Sequence, residues 1–181
     1  MEEKKDTGMS NVVKIPDGIT ATLNESVLTI KGSNGEVSRN FFTPLVKLEL
    51  KDNTIKLSTK SSKRKFTRLL QTITSHIKNM IDGIKDGFTY QLKICSGHFP
   101  MTVKKEGSEI VISNFLGEKI PRRSKIVNGT QVEIKGEIIT VKSNSIEDAG
   151  QTAANLERAT FIKKRDRRVF QDGCYIISKP Q

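Results

Sequence analysis

Short runs of alternating apolar and polar residues dominate the first part of the chain, a pattern typical of β-strands with one buried face. Strands are predicted over Ile19–Leu23 and Val27–Lys31, and a strong tight-turn signal follows at Asn34-Gly35. A second hairpin is predicted from Val46–Leu50 and Ile55–Leu57. The first part of the chain is therefore predicted to form antiparallel strands joined by tight turns.

The pattern then changes to steps of three and four residues, which predict a long amphipathic helix. The apolar stripe extends over about five turns and consists of Phe66, Leu69, Leu70, Ile73, Ile77, Met80, Ile81 and Ile84. We expect Ser61 or Ser62 to cap the start of this helix. Gly83, followed by Asp86-Gly87, is expected to end it.

The second half of the chain repeats the plan. Strands are predicted over Tyr90–Ile94, Met101–Lys104, Glu109–Ser113, Val132–Lys135, Ile138–Lys142 and Cys174–Ile177. Ser145 is expected to cap a second helix, with Glu147 and Asp148 in the first turn, where the helix dipole favours acids. The buried face of this helix carries small residues, so we expect it to pack close to its sheet.

The two halves align with each other without gaps in two blocks. Ile19–Glu36 aligns with Met101–Glu118, and Leu48–Ser61 aligns with Val132–Ser145, with agreement at the apolar and turn positions. The chain is therefore predicted to be an α+β protein of two tandem homologous domains, each a small, mainly antiparallel β-sheet with a helix packed on one face. The expected boundaries are a flexible tail over residues 1–11, a first domain over 12–85 and a second over 86–181.

Composition points to an acidic partner. The 181-residue chain has a net charge of +11, only 6% aromatic residues and no Trp, so its core should be aliphatic. Nucleic acid is the commonest partner of so basic a chain, although a merely basic soluble protein is an alternative. No apolar run approaches the about 18 residues of a membrane span, and the N-terminus lacks the apolar run of a secretory signal.

The residues that could carry catalysis or bind a metal are few and scattered. Cys95 and His98 have the spacing of half a zinc site, but no second pair of ligands exists, and His76 and Cys174 are isolated. The only cysteines, Cys95 and Cys174, are expected to be reduced and buried, as in the cytosol or nucleus. No catalytic residue, metal ligand or cofactor is therefore predicted.

Basic residues form three clusters near the ends of predicted elements. One opens the first helix, one follows Pro121 in a predicted loop, and one follows the second helix. Because aromatic residues are sparse, we expect phosphate and shape recognition of structured RNA rather than base stacking. The predicted RNA-binding residues are Lys63, Arg64, Lys65, Arg68, Arg122, Arg123, Lys125, Lys163, Lys164, Arg165, Arg167 and Arg168.

Several motifs carry a family resemblance. The most specific is Asn114–Lys119 followed by Arg122-Arg123, and the others, in order around it, are Ile15–Gly18, His98-Phe99-Pro100, Ser143-Asn144-Ser145 and Phe170-x-Asp172-Gly173-x-Tyr175. Together they resemble the universal large-subunit ribosomal protein family six in its archaeal–eukaryotic form. The resemblance covers about residues 12–177.

The resemblance implies a fold of two tandem α+β domains related by duplication, and a structural, non-enzymatic role in the cytosolic large ribosomal subunit. It implies binding to large-subunit rRNA, chiefly through the second domain, near the sarcin–ricin loop and the stalk base where translational GTPases dock. The expected partners are this rRNA and neighbouring ribosomal proteins, with no membrane and no homo-oligomer. Assembly is expected in the nucleus or nucleolus if the source is eukaryotic.

Three alternatives to this interpretation remain open at the level of the sequence. The chain could be a free RNA- or DNA-binding module that acts away from the ribosome. It could be a small-molecule enzyme that uses Cys95 or His98. It could also be a protein-interaction scaffold that binds through its sheets.

Overall fold

The computed structural model describes residues 8–51, 53–166 and 168–180. The chain divides into two compact units between Asp86 and Gly87, called here unit 1 and unit 2. Most of the expected N-terminal tail lies outside the described residues. Its last two residues do not belong to a tail, because strand β1 (Ser10–Lys14) already pairs there with strand β6 (Thr54–Thr59).

Unit 1 contains two three-stranded antiparallel sheets and one helix. Besides β1 and β6, its elements are β2 Thr20–Asn24, β3 Val27–Gly32, β4 Gly35–Asn40, β5 Val46–Lys51 and α1 Arg64–Lys85. The first sheet has the order β2-β3-β4, and the second has the order β1-β6-β5. The helix α1 follows the second sheet.

The predicted apolar stripe of α1 forms the core of unit 1. Ile77 and Ile84 are completely buried, and they belong to one apolar cluster with Leu28 and Ile30 of β3 and Leu57 of β6. Burying a side chain of this size stabilises the fold by about 1.5–3 kcal/mol relative to exposing it. The helix is therefore held by its packing, as its periodicity predicts.

The predicted N-cap of α1 and the role of Gly83 are wrong, whereas the predicted end at Asp86-Gly87 is confirmed. The N-cap is Lys63, whose side chain makes no capping hydrogen bond, whereas Ser61 lies before the helix and accepts a hydrogen bond from the Lys63 N–H at 3.3 Å. Gly83 lies inside the helix and is buried, and Asp86 is the C-cap. The helix therefore continues past Gly83, because packing of the apolar stripe offsets the weakening that a glycine causes in an isolated helix.

Unit 2 has the same plan with one additional strand. Its elements are β7 Phe88–Cys95, β8 Thr102–Glu106, β9 Glu109–Ser113, β10 Arg122–Lys125, β11 Gln131–Lys135, β12 Ile138–Ser143, α2 Ile146–Ala159 and β13 Gly173–Ser178. One sheet has the order β8-β9-β10, and the other has the order β11-β12-β7-β13, with antiparallel pairing. The last strand, β13, pairs with β7 and follows the helix α2.

Helix α2 begins and packs as predicted. The Oγ of Ser145 accepts a hydrogen bond from the Asp148 N–H at 3.3 Å, which makes Ser145 the N-cap. Ala149 and Ala153 are completely buried. A side chain at Gly150 would lie 3.1 Å from the Tyr90 hydroxyl, so the helix approaches β7 closely. The small-residue face is the reason that this approach is possible.

The α+β class and the duplicated arrangement are confirmed. The strands of each unit divide into two small sheets, where the sequence suggested one. The residues after Pro121 form β10, which pairs with β9, so the predicted loop at Arg122–Lys125 is wrong. The four residues of β10 are all polar or charged, so the strand shows no alternation of apolar and polar positions. The apolar residues of this pair of strands lie on β9.

Candidate nucleic-acid interface

The basic segment, Lys163–Arg168, connects α2 to β13 in unit 2. Asp166 organises it: its carbonyl accepts hydrogen bonds from the N–H groups of Val169 and Phe170, and its carboxylate accepts one from the Arg168 N–H at 2.9 Å. The cations of the segment that the structure describes are exposed: Lys163, Lys164, Arg165 and Arg168. Arg167, also predicted to bind RNA, lies outside the described residues.

Stacking contacts on Phe170 hold the basic segment in place. The Arg165 guanidinium lies over the Phe170 ring, 4.7 Å from its centroid. The His98 ring also stacks on Phe170, with ring centroids 4.6 Å apart and an interplanar angle of 27°. Cation–π and aromatic contacts of this kind contribute about 0.5–1.5 kcal/mol each. Arg165 is thus an exposed cation whose position is fixed by packing.

Asp172 anchors the inner end of this stack. Its carboxylate is 3% exposed, and Oδ2 lies 2.7 Å from Nδ1 of His98. Oδ1 accepts hydrogen bonds from the N–H groups of Gly97 at 2.5 Å and His98 at 3.0 Å. Burial acts to raise the pKa of Asp172, but the hydrogen bonds from His98 and Gly97 outweigh it and lower the pKa below its usual value. The carboxylate is therefore charged and structural.

Arg122 clamps the start of the connection between α2 and the basic segment. Its guanidinium donates two hydrogen bonds to the Glu118 carboxylate, at 2.6 and 2.8 Å. It also donates to the carbonyl oxygens of Ala159 at 2.8 Å and Phe161 at 3.2 Å, and it lies 4.2 Å from the centroid of the Phe115 ring. Its side chain is 27% exposed. The geometry gives Arg122 an internal role as a clamp, and its predicted phosphate contact stays a prediction.

The pKa of the Glu118 carboxyl group indicates how strongly it is bound by Arg122. The hydrogen bonds from Arg122 hold the pKa of Glu118 below its usual value, although partial burial acts in the opposite direction. The paired groups are 27% and 42% exposed. Because the pair combines bidentate geometry with two further carbonyl contacts, it is stronger than an ordinary surface ion pair.

The other cations of β10 are accessible. Arg123 lies on the same strand with 60% of its side chain exposed and pairs loosely with Glu109 at 3.2 Å. Lys125 is exposed, and its carbonyl accepts a hydrogen bond from the Asn155 side chain at 3.3 Å. Both remain candidates for phosphate contact.

The basic cluster of unit 1 lies on the first turns of α1. Its members are exposed: Lys63, Arg64, Lys65 and Arg68. No acidic residue lies in the first turn, so these cations oppose the helix dipole, at a cost of about 0.3–1 kcal/mol for each close charge. An external anion would relieve this repulsion.

The described residues lack the grouped ligands of a metal site. No three of their His, Cys, Asp and Glu side chains converge as metal ligands. Burial raises the pKa of Cys174 to about 12, with a smaller contribution from nearby Cys95, so Cys174 is a thiol at neutral pH and a poor nucleophile. Among the described helices, none is long and apolar enough to cross a membrane.

The roles of Phe170, Asp172 and His98 were missed by sequence reasoning. These residues belong to the family motifs, but the sequence alone assigns them no role. The available signal was an acid and an aromatic residue directly after a run of cations. Their long-range contact with His98 depends on β13 pairing with β7, which sequence spacing does not show.

Together, the fold and the basic surface define a duplicated α+β protein with exposed cations held on packed elements. Comparison with known families agrees: the family model described as Ribosomal protein L6 matches residues 15–87 and 99–173, so that one match lies largely in each unit. The chain belongs to the ribosomal protein L6 family. The family expected from the motifs is thereby confirmed, and its members are structural and non-enzymatic.

Individual relatives are similar over nearly their whole length. A large ribosomal subunit protein uL6 from Methanobrevibacter smithii is 47% identical over 167 residues, which cover 92% of this chain and 94% of the relative. Proteins of the same name from Methanosarcina mazei and Archaeoglobus fulgidus are 43% and 45% identical over 94% and 93% of this chain. These relatives are archaeal, in agreement with the expected archaeal–eukaryotic form.

Proposed function

We propose that the chain is a structural constituent of the large ribosomal subunit and binds large-subunit rRNA chiefly through unit 2, near the sarcin–ricin loop and the stalk base. The ribosomal assignment follows from family membership and from relatives named as large-subunit proteins. The observation that carries the assignment to unit 2 is the basic segment, whose exposed cations lie next to a packed anchor.

The mechanism of binding is charge neutralisation by a preformed surface. Each cation that meets a phosphate releases condensed counterions, which makes the affinity strongly dependent on salt. Because Arg165 is already held on Phe170, RNA binding need not order this side chain. Placed beside the factor-binding region, such a surface would hold RNA helices in position and so support translation.

The expected binding partners follow from the proposed location near the stalk base. We expect contacts with large-subunit rRNA and with neighbouring ribosomal proteins, including those of the stalk base, in cytoplasmic ribosomes. The chain acts as one copy in each subunit, without a membrane and without a homo-oligomer. Assembly in a nucleolus applies only to a eukaryotic source.

Ribosome incorporation tests the proposal. A tagged chain with Lys163, Lys164, Arg165 and Arg168 replaced by Glu, produced in an archaeal host, should leave the large-subunit fraction of a sucrose gradient. The matched control replaces the same number of exposed lysines elsewhere in unit 2 with Glu: Lys104, Lys105, Lys135 and Lys142. The control should still sediment with large subunits. Normal incorporation of the first variant would contradict the assignment to the basic segment.

Crosslinking tests the location separately. Ultraviolet crosslinks from unit 2 in intact large subunits should map to the sarcin–ricin loop and the RNA beside the stalk base. Crosslinks confined to other rRNA regions would contradict this location, while leaving rRNA binding itself in place. A wild-type chain that sediments mainly away from ribosomes would instead favour a free nucleic-acid-binding module.

A further inference from the structure

A surface cleft of about 1000 Å³ lies beside the basic segment in unit 2. His98, Asp172 and Tyr175 line it together with Lys93 and Arg168. Gly97 also lines it, and a side chain there would meet only the Asp172 carboxylate, at 3.9 Å. The cleft therefore combines hydrogen-bonding groups with cations at the edge of the surface proposed to bind rRNA.

The Asp172 carboxylate sets the hydrogen-bonding character of His98. Because Oδ2 lies 2.7 Å from Nδ1, the neutral imidazole keeps its proton on Nδ1 and leaves Nε2 as an acceptor. Nε2 is directed away from Asp172 and makes no hydrogen bond within residues 8–51, 53–166 and 168–180. The His98 side chain is 37% exposed. In this tautomer, His98 therefore offers an acceptor among the residues that line the cleft.

The charges of the cleft favour a neutral polar group over a phosphate. Lys93 is offset by Glu137, 3.9 Å away, and the Asp172 carboxylate is already satisfied by hydrogen bonds. Arg168 is exposed, and its backbone N–H is fixed by Asp166 at 2.9 Å. A phosphate is thus better placed at Arg168, and a group carrying hydroxyls is better placed in the cleft.

We infer that the cleft binds the ribose of a single rRNA nucleotide, whose 2′-hydroxyl donates a hydrogen bond to Nε2 of His98 while Arg168 contacts an adjoining phosphate. The inference rests on the proposed rRNA binding and makes it more specific. The 2′-hydroxyl is the group by which a protein distinguishes RNA from DNA at a given position. His98 is then a determinant of RNA specificity, and Asp172 is its positioning residue.

Two substitutions distinguish the roles of the two ring nitrogens of His98. In His98→Asn, the amide nitrogen occupies about the position of Nδ1, so it can still donate to Asp172, but Nε2 is lost. In His98→Gln, the amide lies near the position of Nε2, so an acceptor remains and the bond to Asp172 is lost. Both variants lose the ring that stacks on Phe170, so both should melt earlier than the wild type, and His98→Gln more so because it also loses the bond to Asp172. We expect His98→Asn to bind RNA less tightly and His98→Gln to bind nearly normally.

The binding probe is a transcribed fragment of large-subunit rRNA containing the sarcin–ricin loop, measured with the full chain at pH 7.5. Loss of one hydrogen bond should weaken the affinity of His98→Asn about five- to tenfold. Its salt dependence should equal that of the wild type, because His98 contacts no phosphate in the proposed complex. Arg168→Gln is the matched control and should lower the slope of log affinity against log salt by about 1.

Single 2′-deoxy substitutions in the fragment then identify the contact. At one nucleotide, the substitution should weaken wild-type binding about five- to tenfold and His98→Asn binding less than about twofold, since the bond is already absent. Equal affinity of His98→Asn and wild type, or equal sensitivity of both to every deoxy position, would overturn the inference alone. Failure of the wild type to bind the fragment would overturn the proposed location, and this inference with it.

Discussion

The two units share the same arrangement of strands and helix, but they differ in the segment that follows the helix. In unit 1 the chain passes from Asp86 at the end of α1 directly to β7 of the next unit. In unit 2 the chain leaves α2, forms the basic segment and returns as β13 beside β7. The additional strand places Asp172 against His98. The elements shared by both units therefore form the scaffold. The segment found only in unit 2, from the end of α2 to β13, adds a charged connection that is anchored by packing.

The cations of the two units differ in the same way. Arg165 in unit 2 lies on an aromatic ring, and the start of its connection is clamped by Arg122. The basic cluster of unit 1 lies on the first turns of α1, where it opposes the helix dipole. Fixed cations lose less conformational entropy on binding than mobile ones. We therefore expect unit 2 to contribute most of the RNA affinity.

The largest expected effect concerns RNA affinity. Replacing Lys163, Lys164, Arg165 and Arg168 with Gln should weaken binding to the rRNA fragment on the order of a thousandfold at about 0.1 M salt. The slope of log affinity against log salt should fall by about 3, because four phosphate contacts are lost. Filter binding or fluorescence anisotropy across a salt series measures both quantities.

The matched variant in unit 1 carries the same charge change. Replacing Lys63, Arg64, Lys65 and Arg68 with Gln should weaken binding less than about tenfold and change the slope by no more than about 1. Equal losses in the two variants would show that both units hold the RNA. The expected difference between the units would then be wrong, because both would contribute to RNA binding.

The next effect concerns the clamp at Arg122. Arg122→Met should lower the free energy of unfolding by about 2 kcal/mol, because it leaves Glu118 and two carbonyl oxygens without their donor. Urea denaturation of the full chain measures this loss. Arg123→Met is the control on the same strand, and its exposed pair with Glu109 should contribute less than about 0.5 kcal/mol. A small effect at both positions would argue against Arg122 as a clamp and leave RNA binding as its predicted role.

The Asp172 anchor predicts a pH dependence specific to unit 2. Since folding lowers the pKa of Asp172, its stabilising contribution is present above the usual carboxyl pKa and is lost as the pH falls through the lowered value. Asp172→Asn should cost about 2 kcal/mol at pH 7 and flatten the decline in stability below about pH 4. Asp82→Asn, on the exposed face of α1, should change stability at pH 7 by less than about 0.5 kcal/mol. An unchanged acid profile in Asp172→Asn would remove Asp172 as the anchor.

Much of the scaffold could be predicted from periodicity. The apolar stripe of α1, the small-residue face of α2 and the Ser145 cap follow local rules of helix formation, and each is confirmed. The strand at Arg122–Lys125 could not be predicted, because its pairing with β9 is non-local and its own residues show no apolar alternation.

The candidate surface was predictable in composition but not in geometry. The exposure of Lys163, Lys164 and Arg165 agrees with the expectation from a charge cluster. The inward engagement of Arg122 depends on Ala159, Phe161 and Glu118 meeting in three dimensions, which sequence does not reveal. The anchor at Asp172 likewise requires the pairing of β13 with β7.

The smallest predicted effect compares the two helix starts. Ser145→Ala should lower the free energy of unfolding by about 1 kcal/mol, because it removes the acceptor for the Asp148 N–H. Ser61→Ala should cost no more than about 0.5 kcal/mol, since Ser61 lies before the N-cap Lys63 and its hydroxyl bonds an exposed N–H. Urea denaturation can resolve the two. Equal costs would mean that Ser61 orders the start of α1 as strongly as a true cap, and the cations there would then be nearly as well positioned as those of unit 2.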